Sequence, residues 1–299
     1  MSVVRLKTAK PAVAVAGAVA AEGASVDQRP IGMFDSGVGG LTVLHECLVS
    51  HPNEDFIYLG DTGRFPYGPR PIEEIRSFAW QIASHLLSLD VKLLVVACNS
   101  ATASALPWLQ EQLEASIIGA VHPEAEAAVQ TTRNRRVGIL ATEATVASGS
   151  YARALLNLDA GLEIFPQACP QLASMIQSGD VSSPEMVAAV KGYAAPLKEA
   201  GVDTVILGCT HYPLVTPMLQ RVFGREVTLV NSAREIAREV GEVLERRGIG
   251  NDPALEGSYS FLCTGEAESF VKVGARFLQM PFENVKTVDI SELEKIGVA

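Results

Sequence analysis

The sequence predicts an α/β protein of two similar lobes, each a mostly parallel sheet flanked by helices, with the functional site in the interlobe cleft. Three observations lead there. From Ile31 onward, runs of apolar β-formers alternate with segments of helical period over short connectors, the pattern of parallel sheets covered by helices. Two of these runs end at a thiol, in Leu93-Leu94-Val95-Val96-Ala97-Cys98 and in Thr204-Val205-Ile206-Leu207-Gly208-Cys209, and each opens a segment that reads as a helix. There is also a faint internal repeat. Asp35 follows a strand and precedes Cys98 by 63 residues, and Thr142 follows a strand and precedes Cys209 by 67. Two related lobes with apposed strand ends would bring the two cysteines face to face.

Taken in chain order, strands are expected at Ile31–Phe34, Phe56–Leu59, Leu93–Ala97, Ile117–Val121, Val137–Ala141, Glu163–Gln167, Val205–Leu207, Val227–Val230 and Ser260–Cys263. Each is a short run rich in β-branched, leucine or aromatic residues. Amphipathic stretches lie between them. In Pro71–Leu89, residues Ile72, Ile75, Ala79, Ile82 and Leu86 recur at helical spacing, with Pro71 suited to the first turn. The expected division is a first lobe of 30–120 plus 231–299 and a second of 121–230. Residues 1–29 carry Arg5, Lys7 and Lys10 before a run of Ala, Val and Gly that mimics a signal peptide. That run is only weakly hydrophobic, so a disordered or artefactual extension is expected rather than an export signal.

At 299 residues, 48% hydrophobic and 19% charged, the chain has the composition of a globular protein with a large core. Acidic residues outnumber basic ones by 34 to 24, a formal charge of -10 that disfavours binding to nucleic acid or to an anionic membrane. No apolar run is long enough to span a bilayer. Five widely spaced cysteines without a CxxC argue against a metal ribbon or a disulfide framework and for a reducing, cytoplasmic setting.

A thiol at the carboxyl edge of a parallel sheet stands where open α/β proteins bind ligands, and a helix N-terminus there favours the thiolate. Two such thiols suggest an acid/base pair facing one substrate. Buried, inert cysteine is the ordinary alternative, but here the shared context weighs against it: a polar side chain follows each thiol, and His211 lies two residues beyond Cys209. His211 could tune that thiol or simply pack. Cys47, Cys169 and Cys263 lack comparable surroundings and read as structural, and His45, His51, His85 and His122 have no partners visible in the sequence. Gly37-Val38-Gly39-Gly40 is neither a dinucleotide fingerprint nor a phosphate loop, because Thr42 stands where the last glycine would be and no GK[ST] follows. It permits close backbone approach to a ligand or a tight turn. Asp35 and Ser36 before it could serve the site or cap the next helix. The loop Asp61 to Gly68 could present backbone N–H groups to a carboxylate or be an ordinary turn.

Four blocks together, Asp35-Ser36-Gly37-Val38-Gly39-Gly40, Asp61 through Pro66-Tyr67-Gly68, Ala97-Cys98-Asn99-Ser100-Ala101 and Gly208-Cys209-Thr210-His211-Tyr212-Pro213, resemble the glutamate racemases in order and spacing from about Ile31 onward. The resemblance implies a cofactor-independent racemase, most often a homodimer, that supplies D-glutamate for peptidoglycan. Cys98 would act on D-glutamate and Cys209 on L-glutamate, with Asp35 and His211 in support. Substrate contacts are implied for Asp35, Ser36, Tyr67, Gly68, Asn99, Ser100, Thr210 and His211, and also for Thr142. No lysine context suggests a Schiff base, and no metal site is expected. Two positions depart from the family: Ser100 stands where threonine is usual, and Gln177 where a glutamate is expected. An amide still hydrogen bonds but is no carboxylate base. Competing readings are a racemase for aspartate or another small acid, a single-thiol decarboxylase, and a scaffold that inhibits a DNA topoisomerase by contact.

Overall fold

Continuous apolar strands need cover on both faces, and the chain provides it twice. The structure is a computed structural model that describes residues 26–297. Strands β1 (Ile31–Asp35), β2 (Phe56–Gly60), β3 (Leu93–Val96) and β4 (Ile117–Gly119) join β9 (Tyr259–Cys263) and β10 (Lys286–Thr287) in a parallel sheet of order β10-β9-β2-β1-β3-β4. Strands β5 (Arg136–Ala141), β6 (Glu163–Ala168), β7 (Thr204–Gly208) and β8 (Thr228–Asn231) form a second parallel sheet of order β6-β5-β7-β8. The chain thus returns to the first sheet after completing the second. The expected α/β architecture of two helix-flanked parallel sheets is what the structure has.

Side-chain alternation explains the layers. In β3, Leu94 and Val96 pack with Phe34 of β1 against Ile75, Ile82 and Leu86 of helix Ile72–Leu87, while Leu93 and Val95 face the opposite core with Ile31 and Met33. The second sheet repeats the device. Val137, Ile139 and Ile206 meet Ala125 and Ala128 of helix Val121–Thr131, and Leu140, Val205 and Leu207 face the other way. That other core is continuous with the first sheet's, through helices Leu41–Ser50 and Ser232–Arg247, so one apolar body ties the lobes together. Each fully buried Leu or Ile in it contributes roughly 1.5–3 kcal/mol.

Four local expectations are corrected. The apolar run from Ile117 stops being a strand at Gly119, where a Cβ would lie 2.7 Å from the Thr102 side chain; the Ala120 N–H bonds Thr102 Oγ1 and Val121 already begins a helix. Pro71 is the cap residue before helix Ile72–Leu87 (φ -57°, ψ 148°), not part of its first turn. Cys209 does not open a helix directly. A short 3-10 turn runs over Tyr212–Val215 before helix Thr216–Phe223, because Pro213 and Pro217 suit such starts but interrupt a continuous ladder. The two-residue β10 has no counterpart among the expected strands. Of the segment expected to be disordered, residues 1–25 lie outside the described residues. At its end the Asp27 N–H bonds Gly250 O and the Asp27 carbonyl accepts from Lys92 Nζ at 2.6 Å.

Candidate active site

Strand order fixes where a site can form. In the first sheet the chain leaves β1 for β2 on one side and then crosses to β3 on the other, so the carboxyl ends of β1 and β3 diverge. The same reversal separates β5 from β7 in the second sheet. Such switch points open a crevice beyond the strand ends. Asp35-Ser36 and Cys98 stand at the first, Thr142 and Cys209 at the second, and both open onto one narrow cleft. The faint repeat in the sequence is therefore a repeat of switch points.

On the first wall, Cys98 precedes the 14-residue helix Asn99–Gln112, and its thiol lies 3.6 Å from Ser36 Oγ. Asp35 does not cap a helix. Its carboxylate accepts from the Gly37 N–H at 2.9 Å and from Thr210 Oγ1 at 3.0 Å, the second bond crossing from one sheet's loop to the other's. Gly39 explains the closeness of that crossing, since a Cβ there would stand 2.5 Å from His211 Nδ1. Gly39→Ala is expected to lose about 1–3 kcal/mol of stability, measurable as a lower unfolding temperature, together with much of the activity. Asp61 holds the loop that follows β2: it pairs with Arg64 at 2.7 Å, and it accepts from Thr264 Oγ1 and from the Tyr67 hydroxyl. With the Tyr67 hydroxyl bound there, the ring and the Gly68 backbone are what line the cleft.

On the second wall, Cys209 Sγ lies 3.8 Å from His211 Nδ1, while His211 Nε2 donates to Gln177 Oε1 at 2.9 Å. The Gln177 oxygen thus keeps the proton on Nε2 and leaves the Nδ1 lone pair facing the thiol. Thr142 caps helix Glu143–Ser148 and shares a hydrogen bond of 2.8 Å with Ser100, so hydroxyls from both lobes meet in the cleft.

Burial sets the charges. It pushes the Cys98 thiol up to about 12, helped by the Asp35 carboxylate, and the Cys209 thiol well above its ordinary range. It raises Asp35 to about 6 and lowers His211 to about 3, so His211 is neutral at pH 7. Both thiols rest protonated, and each becomes a strong base once ionised. No Lys or Arg lines the cleft among the described residues, so the polar groups available to an anion are hydroxyls and backbone N–H groups, including the start of helix Asn99–Gln112.

The structure brings Ser36, Tyr67, Gly68, Cys98, Asn99, Ser100, Thr142, Cys209, Thr210 and His211 to the cleft lining, with Asp35 directly behind. Phe65, Pro170 and Ser174 join them without having been singled out. Glu124 was also missed: fully buried, it touches Asn99 from behind, and as a glutamate in a helix's first turn it gives no sequence signal. Three of the other four histidine side chains do have partners. His45 and His51 bond the carbonyls of Leu278 and Ala237, each at 2.8 Å, and His122 pairs with Glu126 at 3.3 Å.

Comparison with known proteins decides the family. The model of the Asp/Glu/Hydantoin racemase family matches residues 42–240. The glutamate racemase of Oceanobacillus iheyensis is 44% identical over 252 residues, 84% of this chain and 92% of that one. The chain belongs to the glutamate racemase family. Solved members superpose closely. A glutamate racemase isoform from Bacillus anthracis matches with a TM-score of 0.85 at 39% identity, over 88% of this chain and 98% of that one. The glutamate racemase of Francisella tularensis, solved in complex with D-glutamate, matches with a TM-score of 0.82 at 31% identity, over 89% and 100%. Within this family the position of Gln177 offers a test. Gln177→Glu keeps an acceptor for His211 Nε2–H, and its charge should raise the histidine from about 3. The expected rate change is less than about tenfold, with His211 titrating at higher pH by NMR; a hundredfold loss would show that the amide has a specific role.

Proposed function

We propose that the cleft interconverts L- and D-glutamate by proton transfer between two thiols, without a cofactor. The observation that carries this reading is the placement of Cys98 and Cys209, each at the switch point of its own sheet, in the lining of one cleft. One thiolate removes the α-proton from its face of the substrate, and the opposite thiol delivers a proton to the other face. Cys98 serves D-glutamate and Cys209 serves L-glutamate. His211 Nδ1 accepts the hydrogen bond of the Cys209 thiol, and Ser36 holds the Cys98 thiol in line. A buried thiolate is unstable alone, but the substrate ammonium brings the compensating positive charge, with Asp35 as its fixed partner. Ser100, Thr142, Thr210 and the Tyr67–Gly68 backbone hold the two carboxylates, where negative charge develops toward the carbanion. The product supplies D-glutamate for peptidoglycan synthesis in the cytoplasm, and the working form is a homodimer that binds neither nucleic acid nor membrane. Among the described residues no helix is long and apolar enough to cross a bilayer.

The test is proton NMR of L-glutamate, and separately of D-glutamate, with cofactor-free protein in D₂O. Loss of the α-proton signal with appearance of the opposite enantiomer is expected from both. Folded, reduced protein that exchanges neither would overturn the assignment.

A further inference from the structure

We propose that Glu124 is a positioning residue: it holds the Asn99 side chain with its amide nitrogen turned away from the cleft and its oxygen left to the substrate. This rests on the racemase reading above and adds a residue behind the cleft wall to it.

With Glu124 ionised, the hydrogen bonds have only one consistent direction. Asn99 Nδ2 donates to Glu124 Oε1 at 3.0 Å and to the Tyr151 hydroxyl at 2.8 Å, which uses both amide hydrogens. Tyr151, having accepted that bond, donates its own proton to Glu124 Oε2. An ionised carboxylate, which only accepts, closes the triangle. Asn99 Oδ1 is then buried with no partner among the described residues, on a side chain that lines the cleft beside Cys98. A buried acceptor without a donor is costly, and an ammonium group arriving in the cleft supplies one. Asn99 thus reads as an acceptor for the substrate ammonium rather than a donor to a carboxylate.

The arrangement draws on four helices. Asn99 begins Asn99–Gln112, Glu124 lies in Val121–Thr131, Tyr151 in Ser150–Leu158, and Ser232, whose hydroxyl donates to the Leu207 carbonyl at 2.9 Å, brings the start of Ser232–Arg247 close to Glu124. Gly149, at φ 64°, makes the turn that starts the Tyr151 helix. The titratable groups facing Glu124 are Tyr151 and, from the last of these helices, Glu235. Burial raises the Glu124 carboxyl to about 7, against the hydrogen bonds that favour its charge. A proton there turns an acceptor into a donor, so the Asn99 amide is free to flip and present its NH₂ to the cleft.

The experiment compares wild type, Glu124→Gln and Tyr151→Phe by the pH dependence of kcat/KM for L-glutamate, by calorimetric titration with D-glutamate at pH 6 and pH 8, and by unfolding temperature. Wild type should lose kcat/KM and affinity on acidification through about pH 7, beside a separate limb from Asp35 near 6. Glu124→Gln should abolish the limb near 7 and raise KM about tenfold with a smaller change in kcat, without loss of unfolding temperature. Tyr151→Phe keeps the carboxylate on Asn99 and should retain that limb with a loss of about threefold. Active wild type whose limb and KM are unchanged in Glu124→Gln overturns the proposal alone, as does a variant that loses only unfolding temperature and kcat. Wild type that neither turns over nor binds glutamate overturns the functional reading and the proposal with it.

Discussion

Replacing either Cys98 or Cys209 by alanine is expected to reduce racemisation in both directions by at least about a thousandfold. Inversion needs a base on one face and an acid on the other, so losing either thiol blocks both directions. The two variants should nonetheless differ. Each keeps one thiol, and that thiol can still exchange the α-proton of the enantiomer whose face it holds. Cys98→Ala should wash deuterium into L-glutamate, through Cys209 and the His211 lone pair 3.8 Å away, without forming D-glutamate. Cys209→Ala should exchange D-glutamate alone, and more slowly, because Cys98 has the Ser36 hydroxyl beside it and no histidine lone pair. Mass spectrometry of each enantiomer after incubation in D₂O reads both quantities. Substantial inversion by either variant would sink the two-thiol mechanism, and exchange of the wrong enantiomer would reverse the assignment of faces.

The same two thiols show how far a sequence can be read. Their positions were legible because a parallel strand buried on both faces is a continuous apolar run, and its end is marked by the first polar residue or thiol. β1, β3, β5 and β7 all end this way, so fold and site were visible together. What escaped depends on contacts between distant residues. β10 is two exposed residues, Lys286 and Thr287, that pair with β9 because the chain is held there, and no apolar pattern announces them. Glu124 looks like a favourable charge at a helix start. Its burial comes from Asn99, 25 residues before it, and Tyr151, 27 residues after it. His45 and His51 bond backbone carbonyls more than 180 residues away. The Gln177 departure was visible in the sequence, but that its oxygen sets the His211 tautomer required the geometry.

Asp35→Asn is expected to separate stability from activity. Desolvation raises this carboxyl from an ordinary 3.8 to about 6 in the folded protein, although Gly37 and Thr210 donate to it. An acid whose folded value is raised favours folding most when protonated. Its contribution is complete below about pH 4 and is lost as pH rises through about 6, leaving the charged form at pH 8 as a cost of about 3 kcal/mol. An amide carries no such charge, and it can still accept from the Gly37 N–H while donating to Thr210 Oγ1. Asp35→Asn should therefore unfold at a higher temperature than wild type at pH 8, and the difference should shrink to nothing by about pH 4. Racemisation should fall by about a hundredfold or more, because the variant lacks the fixed negative charge that receives the substrate ammonium and strengthens Cys98 as a base. Thermal unfolding across pH, run beside the racemisation assay, checks both halves. A lower unfolding temperature at pH 8 would mean that the hydrogen bonds to Gly37 and Thr210 outweigh the desolvation of the charge. Full activity would remove Asp35 from the site. A buried carboxylate kept ionised at such a cost is what a site gains by facing a cation, and the exposed loops of this chain offer many places where the same charge would have cost nothing.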